Sequence, residues 1–344
     1  VDCPRVYAHV KVSLRRGHWY RDAEPLCDAP AIARILQVDE NLVVTGTKKT
    51  KIYIVYREIH FKAGDSLVIS TLYKELEQAR FQVYNTTLFN DVKFDALAVD
   101  SFNIDITVRV TERWYLYPVP QFQLVDRNFN VWWKTYKRSF DRVNYGIKFV
   151  HYNLTGRRDQ LNLYLINGYT RNISFSYINP YSNAALTRGF ILYGGYFQNR
   201  EIPYKTDSAN KIMLYKKSDF TRNTLYAGAG ITIRKGLFKK HTITVSYTHF
   251  TVDDSVIHAK YNPDYFNDPV SSKDILEVSY ALSYSNVNNI SYALTGKTAY
   301  LGIVKKGLGF TGGINMLSIE GGFNRYYSMG KNWYSNIQLY GKIK

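Results

Sequence analysis

The chain has 344 residues with 45 Lys+Arg against 28 Asp+Glu, a formal charge of +17, and it carries 31 Tyr, 18 Phe and 5 Trp beside only 3 Met and 2 Cys. That length allows two or more domains, and so many aromatic residues together with 22 Gly point towards strands. The absence of any apolar run of about 18 residues excludes a helical membrane span, but not spanning β-strands, which need only about 9–11 residues each.

The charge is unevenly placed. Residues 1–112 hold 15 basic and 15 acidic side chains, so the remaining 30 and 13 put the whole +17 into residues 113–344. No helix-turn-helix, zinc-finger spacing or RNA-binding signature accompanies the basic part, so nucleic acid is not the expected partner. Anionic lipid headgroups or lipopolysaccharide phosphates suit it better, because long basic side chains can reach a headgroup layer.

Residues 1–40 show no strong periodicity and remain without a functional account. Residues 1–20 lack an apolar core of signal-peptide length, so an exported protein would already have lost its leader. Cys3 and Cys27 have no metal-ligand spacing, and a disulfide between them stays open either way.

From about Asn41 the pattern sharpens. Leu42 to Val44 reads as a strand. Ile52, Val55, Tyr56 and Ile59 recur at helical spacing, with Thr47 or Thr50 as N-cap. After the loop "FKAGDS", Leu72, Leu76, Ala79 and Val83 mark a second amphipathic helix from roughly Ser66 to Thr87. Two strands follow, "VKFDALAV" and "FNIDITVRV", giving the order β-α-α-β-β. The tetrapeptide Gly64-Asp65-Ser66-Leu67 matches the nucleophile of some serine lipases, but that chemistry needs a preceding strand and His and Asp partners. The expected role of Asp65 or Ser66 is to cap the second helix. No Gly-x-Ser-x-Gly, His-Glu-x-x-His or P-loop occurs, so no residue is assigned a catalytic role and no cofactor is expected.

Beyond Glu112 the period becomes two. Ile173, Phe175 and Tyr177 alternate with Ser174 and Ser176, and Ile243, Val245 and Tyr247 with Thr244 and Ser246. Long alternating segments with one apolar or aromatic face, one small polar face and tyrosines near the ends fit a transmembrane β-barrel better than a soluble sandwich. Eleven strands are expected, starting near Trp114, Tyr145, Gln160, Arg171, Arg188, Thr224, His241, Asp274, Ile290, Ile314 and Trp333. The G-x-G-x-x-G string from Gly307 to Gly312 lies between strands with no helix after it, so it reads as a hairpin or bulge and not as a dinucleotide site.

These segments carry a resemblance. "VTGTKKTKIYIVYREIHFKAGD" resembles the opening of a POTRA domain, "LFNDVKF" the step after its second helix, and "VRVTER" its closing strand. "HYNLTGRRDQLNLYLINGYTRNISFSYINPY", His151 to Tyr181, is similar to the early barrel hairpins of the BamA/TamA family of outer-membrane proteins. The resemblance implies an N-terminal segment (1–40), an α+β POTRA domain (41–112) in the periplasm, and an antiparallel outer-membrane β-barrel (113–344). The family pattern has sixteen strands, of which about eleven are present here. Parity and the cost of bare strand edges in lipid lead to the expectation of further strands after Lys344 or supplied by another chain. The Arg-Gly-Phe/Tyr loop tip and a terminal aromatic strand of that family are not found.

The function implied is assembly, insertion or translocation of unfolded outer-membrane or secreted polypeptides, in contact with outer-membrane lipid and lipopolysaccharide and compatible with accessory lipoproteins. Clients would add to the strand edge at Val92, Lys93, Phe94, Asp95 and Ala96. The first barrel strand, at Trp114, Tyr115, Leu116 and Tyr117, would form one side of a lateral seam. A diffusion channel or surface receptor bearing a POTRA domain is the alternative. A secreted hydrolase fused to its own barrel is disfavoured by the missing Gly-x-Ser-x-Gly.

Overall fold

The computed structural model describes residues 11–15, 18–22, 35–100, 102–125, 128–308 and 313–344. Cys3, Cys27 and residues 309–312 of the glycine string lie outside the described residues, and with them the expectations about their bonding and turn. The described chain opens with a hairpin, β1 (Lys11–Arg15) and β2 (His18–Asp22).

An α+β unit follows: β3 (Ile35–Thr45), α1 (Ile52–Glu58), β4 (Ser66–Val68), α2 (Ile69–Tyr84), β5 (Phe89–Ala98) and β6 (Asn103–Glu112). Its sheet runs in the order β4-β3-β6-β5, with β3 parallel to β6 and the other pairs antiparallel. The first strand therefore begins at Ile35, ahead of the expected boundary at 41, and a short strand separates the helices. The core is built by period-two residues of the strands, Val92, Phe94, Ile104, Ile106 and Val108, against the buried helix residues Ile54, Val55, Leu76, Ala79 and Val83. Burying these apolar surfaces against one another is the main source of the unit's stability.

Both expected helix caps are corrected. The N-cap of α1 is Lys51 with no side-chain hydrogen bond, and that of α2 is Val68, also without one. Ser66 lies in β4, paired with Gln37, and the Asp65 carboxylate accepts from the Lys62 amide at 2.8 Å, closing the loop before β4. The short strand takes the residues that the helical period had claimed. The buried face of α1 is also turned: Ile54, Val55 and Glu58 are buried, whereas Ile52 and Tyr56 are exposed.

The second region is one antiparallel sheet. Its strands are β7 (Leu116–Leu124), β8 (Val143–Tyr152), β9 (Gln160–Gly168), β10 (Thr170–Asn179), β11 (Arg188–Asn199), β14 (Arg222–Lys235), β15 (Lys239–Val252), β16 (Ser272–Val287), β17 (Gly296–Lys306), β18 (Met316–Ser328) and β19 (Tyr334–Ile343). A hairpin inserted between β11 and β14, formed by β12 (Glu201–Thr206) and β13 (Ile212–Lys216), stands apart from it. The eleven strands pair in sequence order from β7 to β19. The eleven expected strands are all present, although β17 starts at Gly296 and not near Ile290. β7 and β19 are not hydrogen-bonded to each other, so the described sheet is open and does not close into a barrel on itself.

The strand register turns the alternation into two faces. Ile147, Leu165 and Ile173 lie in one row across β8, β9 and β10, and Ile173, Phe175, Leu225, Ile231 and Val245 are about half exposed. The opposite face is polar: Asn162 donates to the Ser176 hydroxyl at 2.9 Å, and the Thr244 and Ser279 hydroxyls lie 2.5 Å apart. Connections at one end are short (153–159, 180–187, 236–238, 288–295, 329–333). At the other end lie the long ones, 125–142, 200–221 and 253–271, beside the short 169 and 307–315.

Candidate functional site

The α+β unit is fixed to the end of the large sheet that carries the short turns. Asn153, in the turn after β8, donates to the Thr50 hydroxyl at 2.9 Å. Thr50 bonds the Tyr115 hydroxyl at 2.9 Å, and Tyr115 donates to the Leu88 carbonyl at 3.0 Å. This relay explains why Thr50 is no helix cap: its hydroxyl is committed across the junction. Gly156 completes the contact, since its carbonyl accepts from the Lys51 amide at 2.9 Å. A Cβ on Gly156, whose φ is +84°, would lie 2.4 Å from the Lys49 carbonyl oxygen, so the close approach requires glycine. Glu112 ties the same loop, its carboxylate accepting from the Thr50 amide at 2.7 Å and the Lys49 amide at 3.0 Å. Partial burial raises the pKa of Glu112, but the Thr50 side chain and then these amide bonds outweigh it and hold the carboxyl below its ordinary range.

A second contact is ionic. Glu58, at the end of α1, is 1% exposed. Its carboxylate receives both Arg234 guanidinium nitrogens, one of them at 2.6 Å, together with the Tyr181 hydroxyl at 2.8 Å. Arg158 stands 3.7 Å away and also donates to the Thr86 and Asn85 carbonyls at 3.1 and 3.3 Å. Burial pushes the Glu58 pKa up, but Arg234 and then Arg158 and Tyr181 more than reverse it, so the group stays ionised. Burial pushes the Tyr181 hydroxyl up. Further along, Arg57 donates to the Gly236 carbonyl at 2.7 Å and Asn85 to the Val287 carbonyl at 2.9 Å. Four successive turns of the sheet are thus held by one unit.

The residues expected to bind clients lie on β5, the last strand of the α+β sheet. Val92, Phe94 and Ala96 are buried in the core, Lys93 is exposed, and Asp95 is half-buried beneath Arg109, whose Nε donates to it at 2.7 Å. The hairpin β1–β2 lies beside β5 without joining its ladder. The four residues expected at the seam separate. Leu116 and Tyr117 open β7, the edge strand of the large sheet; Trp114 precedes it and is exposed; Tyr115 is buried at the junction. Tyr115 is therefore a junction residue.

Glu58, Arg158, Tyr181 and Arg234 were not singled out from the sequence. The available signal was a glutamate in the buried stripe Ile54, Val55, Glu58 of a short helix. Its partners lie 123 and 176 residues away, beyond any local pattern. The described residues contain no group of three or more His, Cys, Asp or Glu able to hold a metal.

No protein family and no curated protein matches the sequence. Solved structures do. The chain is similar in fold to BamA and CdiB. BamA from Haemophilus ducreyi lacking POTRA domains 1–3 matches with 15% identity and a TM-score of 0.46, over 97% of this chain and 60% of that one. CdiB from Escherichia coli matches with 8% identity and a TM-score of 0.45, over 89% and 54%. CdiB from Acinetobacter baumannii matches with 11% identity and a TM-score of 0.40, over 89% and 52%. The chain spans between half and three-fifths of the length of these structures.

Proposed function

We propose that this protein works in a bacterial outer membrane as an assembly, insertion or translocation factor for unfolded polypeptides, with residues 41–112 acting as a periplasmic POTRA domain and the large sheet as its membrane part. The observation that carries the reading is the polarity of the sheet. Its apolar face is exposed, every connection at the end held by the α+β unit is short, and its three longest connections lie at the other end. Outer-membrane barrels have short periplasmic turns and longer extracellular loops, with apolar residues turned to lipid. The α+β unit then lies on the periplasmic side, where unfolded clients arrive. An edge strand satisfies a client's backbone by strand addition, and β5 presents such an edge through Val92 to Ala96. Lipid and lipopolysaccharide contact the outward face and the basic loops. Accessory lipoproteins are compatible with the free surface of the α+β unit.

The polar second face supports a channel as the alternative. The two readings separate in lipid bilayers. An assembly factor crosslinks an unfolded outer-membrane polypeptide from Lys93 and gives no large steady conductance. A channel gives the conductance and no such crosslink.

A further inference from the structure

The outward face of the large sheet ends, on the side of the short turns, in two facing pairs of cations. Ile231, Ile243, Tyr280, Ile303 and Ile319 stand opposite one another in a single row across β14 to β18, and Ile231, Ile243 and Ile319 are exposed. Side chains two residues apart on a strand share a face. Lys235, Lys239, Lys297 and Arg325, each four or six residues from that row, therefore lie on the same face. All four are exposed. Lys235 stands directly opposite Lys239, and Lys297 directly opposite Arg325.

Like charges opposite each other across two strands repel, and these strands supply no acid to relieve them. Residues 220–252, 278–319 and 321–344 contain no Asp or Glu. Glu277 and Glu320 belong to the polar face, opposite Ser246 and Gly302, and are taken by Lys306 at 3.1 Å and Lys342 at 2.7 Å. Glu58, from the docked unit, is held by Arg234. The groups that accompany the four cations are aromatic. The Lys297 ammonium lies 5.7 Å from the Tyr284 ring, which also stands opposite Lys239, and the Arg325 guanidinium lies 5.0 Å from the Tyr327 ring. Strand rise puts four to six residues at about 13–20 Å, which a tilt of about 40° shortens to roughly 10–15 Å. That is close to half of the ~30 Å hydrocarbon core, so with the isoleucine row near the bilayer midplane the cations reach headgroup depth. Tyrosine rings beside basic side chains suit that layer.

We propose that the two pairs seat the phosphate groups of anionic phospholipids, one between Lys235 and Lys239 and another between Lys297 and Arg325, in the leaflet that faces the α+β unit. The proposal rests on the membrane placement argued above and adds to it a lipid class and the residues that select it. An anion between two opposed cations replaces one repulsion by two attractions, in a layer where partial desolvation strengthens both. A zwitterionic headgroup brings its own ammonium and gains less. The first seat flanks Gly236, whose carbonyl accepts from Arg57 of the α+β unit, so bound lipid and docked unit meet at one turn.

The test counts bound lipids on the full protein by native mass spectrometry from detergent micelles, with added phosphatidylglycerol or phosphatidylcholine. The parent should hold two phosphatidylglycerol molecules ahead of all others, and no phosphatidylcholine at the same concentration. K235Q/K239Q and K297Q/R325Q should each lose one of the two, with affinity for it reduced by about fivefold per cation removed. Lys305→Gln, which changes an outward lysine opposite Leu317 at the other end of β17, should keep both. Heat-modifiable migration checks that each variant is folded, and the single variants carry the test if a double variant is not. Equal binding of phosphatidylcholine, unchanged binding in the folded variants, or an equal loss in Lys305→Gln overturns the proposal. So does displacement by glycerol 3-phosphate at the concentration of the lipid, which would mark a seat for free phosphate. Client crosslinking from Lys93 is read separately. Its persistence when lipid selectivity fails leaves the assembly reading standing, and its absence while both lipids stay bound overturns that reading and not this one.

Discussion

The two regions of this chain use the same alternating apolar residues for opposite purposes. In the α+β unit, Ile104, Ile106 and Val108 turn inward and are almost wholly buried. In the large sheet, Ile173, Phe175, Ile243 and Val245 turn outward and stay about half exposed, while serine and threonine occupy the other face. A single protein cannot have both arrangements favoured by water. The first suits an aqueous compartment, and the second suits lipid outside with a polar interior. On the proposed reading the junction is where the two solvents meet, and there the chain uses a relay of hydroxyls and a buried ion cluster in place of apolar packing alone.

The sharpest way to break this division is at that cluster. Glu58→Gln leaves the Arg234 guanidinium poorly exposed and without its charge partner, a change that typically costs about 3–5 kcal/mol. We expect the α+β unit to come away from the sheet while each region keeps its own secondary structure, which limited proteolysis of residues 46–51 and circular dichroism will show. The same group predicts a pH dependence. The pKa of Glu58 is lowered in the folded protein, so its contribution is complete above the ordinary carboxylate range and is lost as pH falls through the depressed value. Docking should loosen only in that acid window, and the Glu58→Gln variant should show no such step.

Substitutions on matched strands test the two faces. Ile106→Ala, in the inward-facing set, should destabilise the α+β unit by about 2–5 kcal/mol in denaturant titrations. Phe175→Arg, in the outward-facing set, should oppose membrane insertion by about 2–4 kcal/mol if it lies near the bilayer midplane. Ser176→Arg, one residue on and on the polar face, should insert almost normally. Equal defects for the two arginine variants, measured by heat-modifiable migration, would remove the assignment of faces.

The order of strands and the change of period at Glu112 were legible because each depends on neighbours two to four residues apart. Less could be read where distant partners decide. Thr50 has the chemistry of a helix cap, yet its hydroxyl is taken by Tyr115 and Asn153 from the other region. Ser66 fits the start of a helix, yet Gln37 draws it into a short strand. Tyr115 reads as part of the first barrel strand and is instead buried beneath the junction. The Asn153-to-Gly156 turn was visible as a resemblance, but its role as the landing site for residues 49–51 required the fold.

The smallest effect expected is at Ser66. Because it caps no helix, Ser66→Ala should change stability by less than about 0.5 kcal/mol, and a thermal-unfolding midpoint indistinguishable from the parent will show it. A clear loss would restore a structural role for that hydroxyl.

The central claim is that the outward apolar sheet and the docked α+β unit together help other polypeptides into a membrane. Its most direct measurement is the folding rate of a urea-unfolded outer-membrane barrel diluted into lipid vesicles, with and without this protein in the bilayer. The account predicts faster folding with the protein present, reduced towards the uncatalysed rate by Glu58→Gln. An unchanged rate, with the protein correctly inserted and its α+β unit docked, would contradict it.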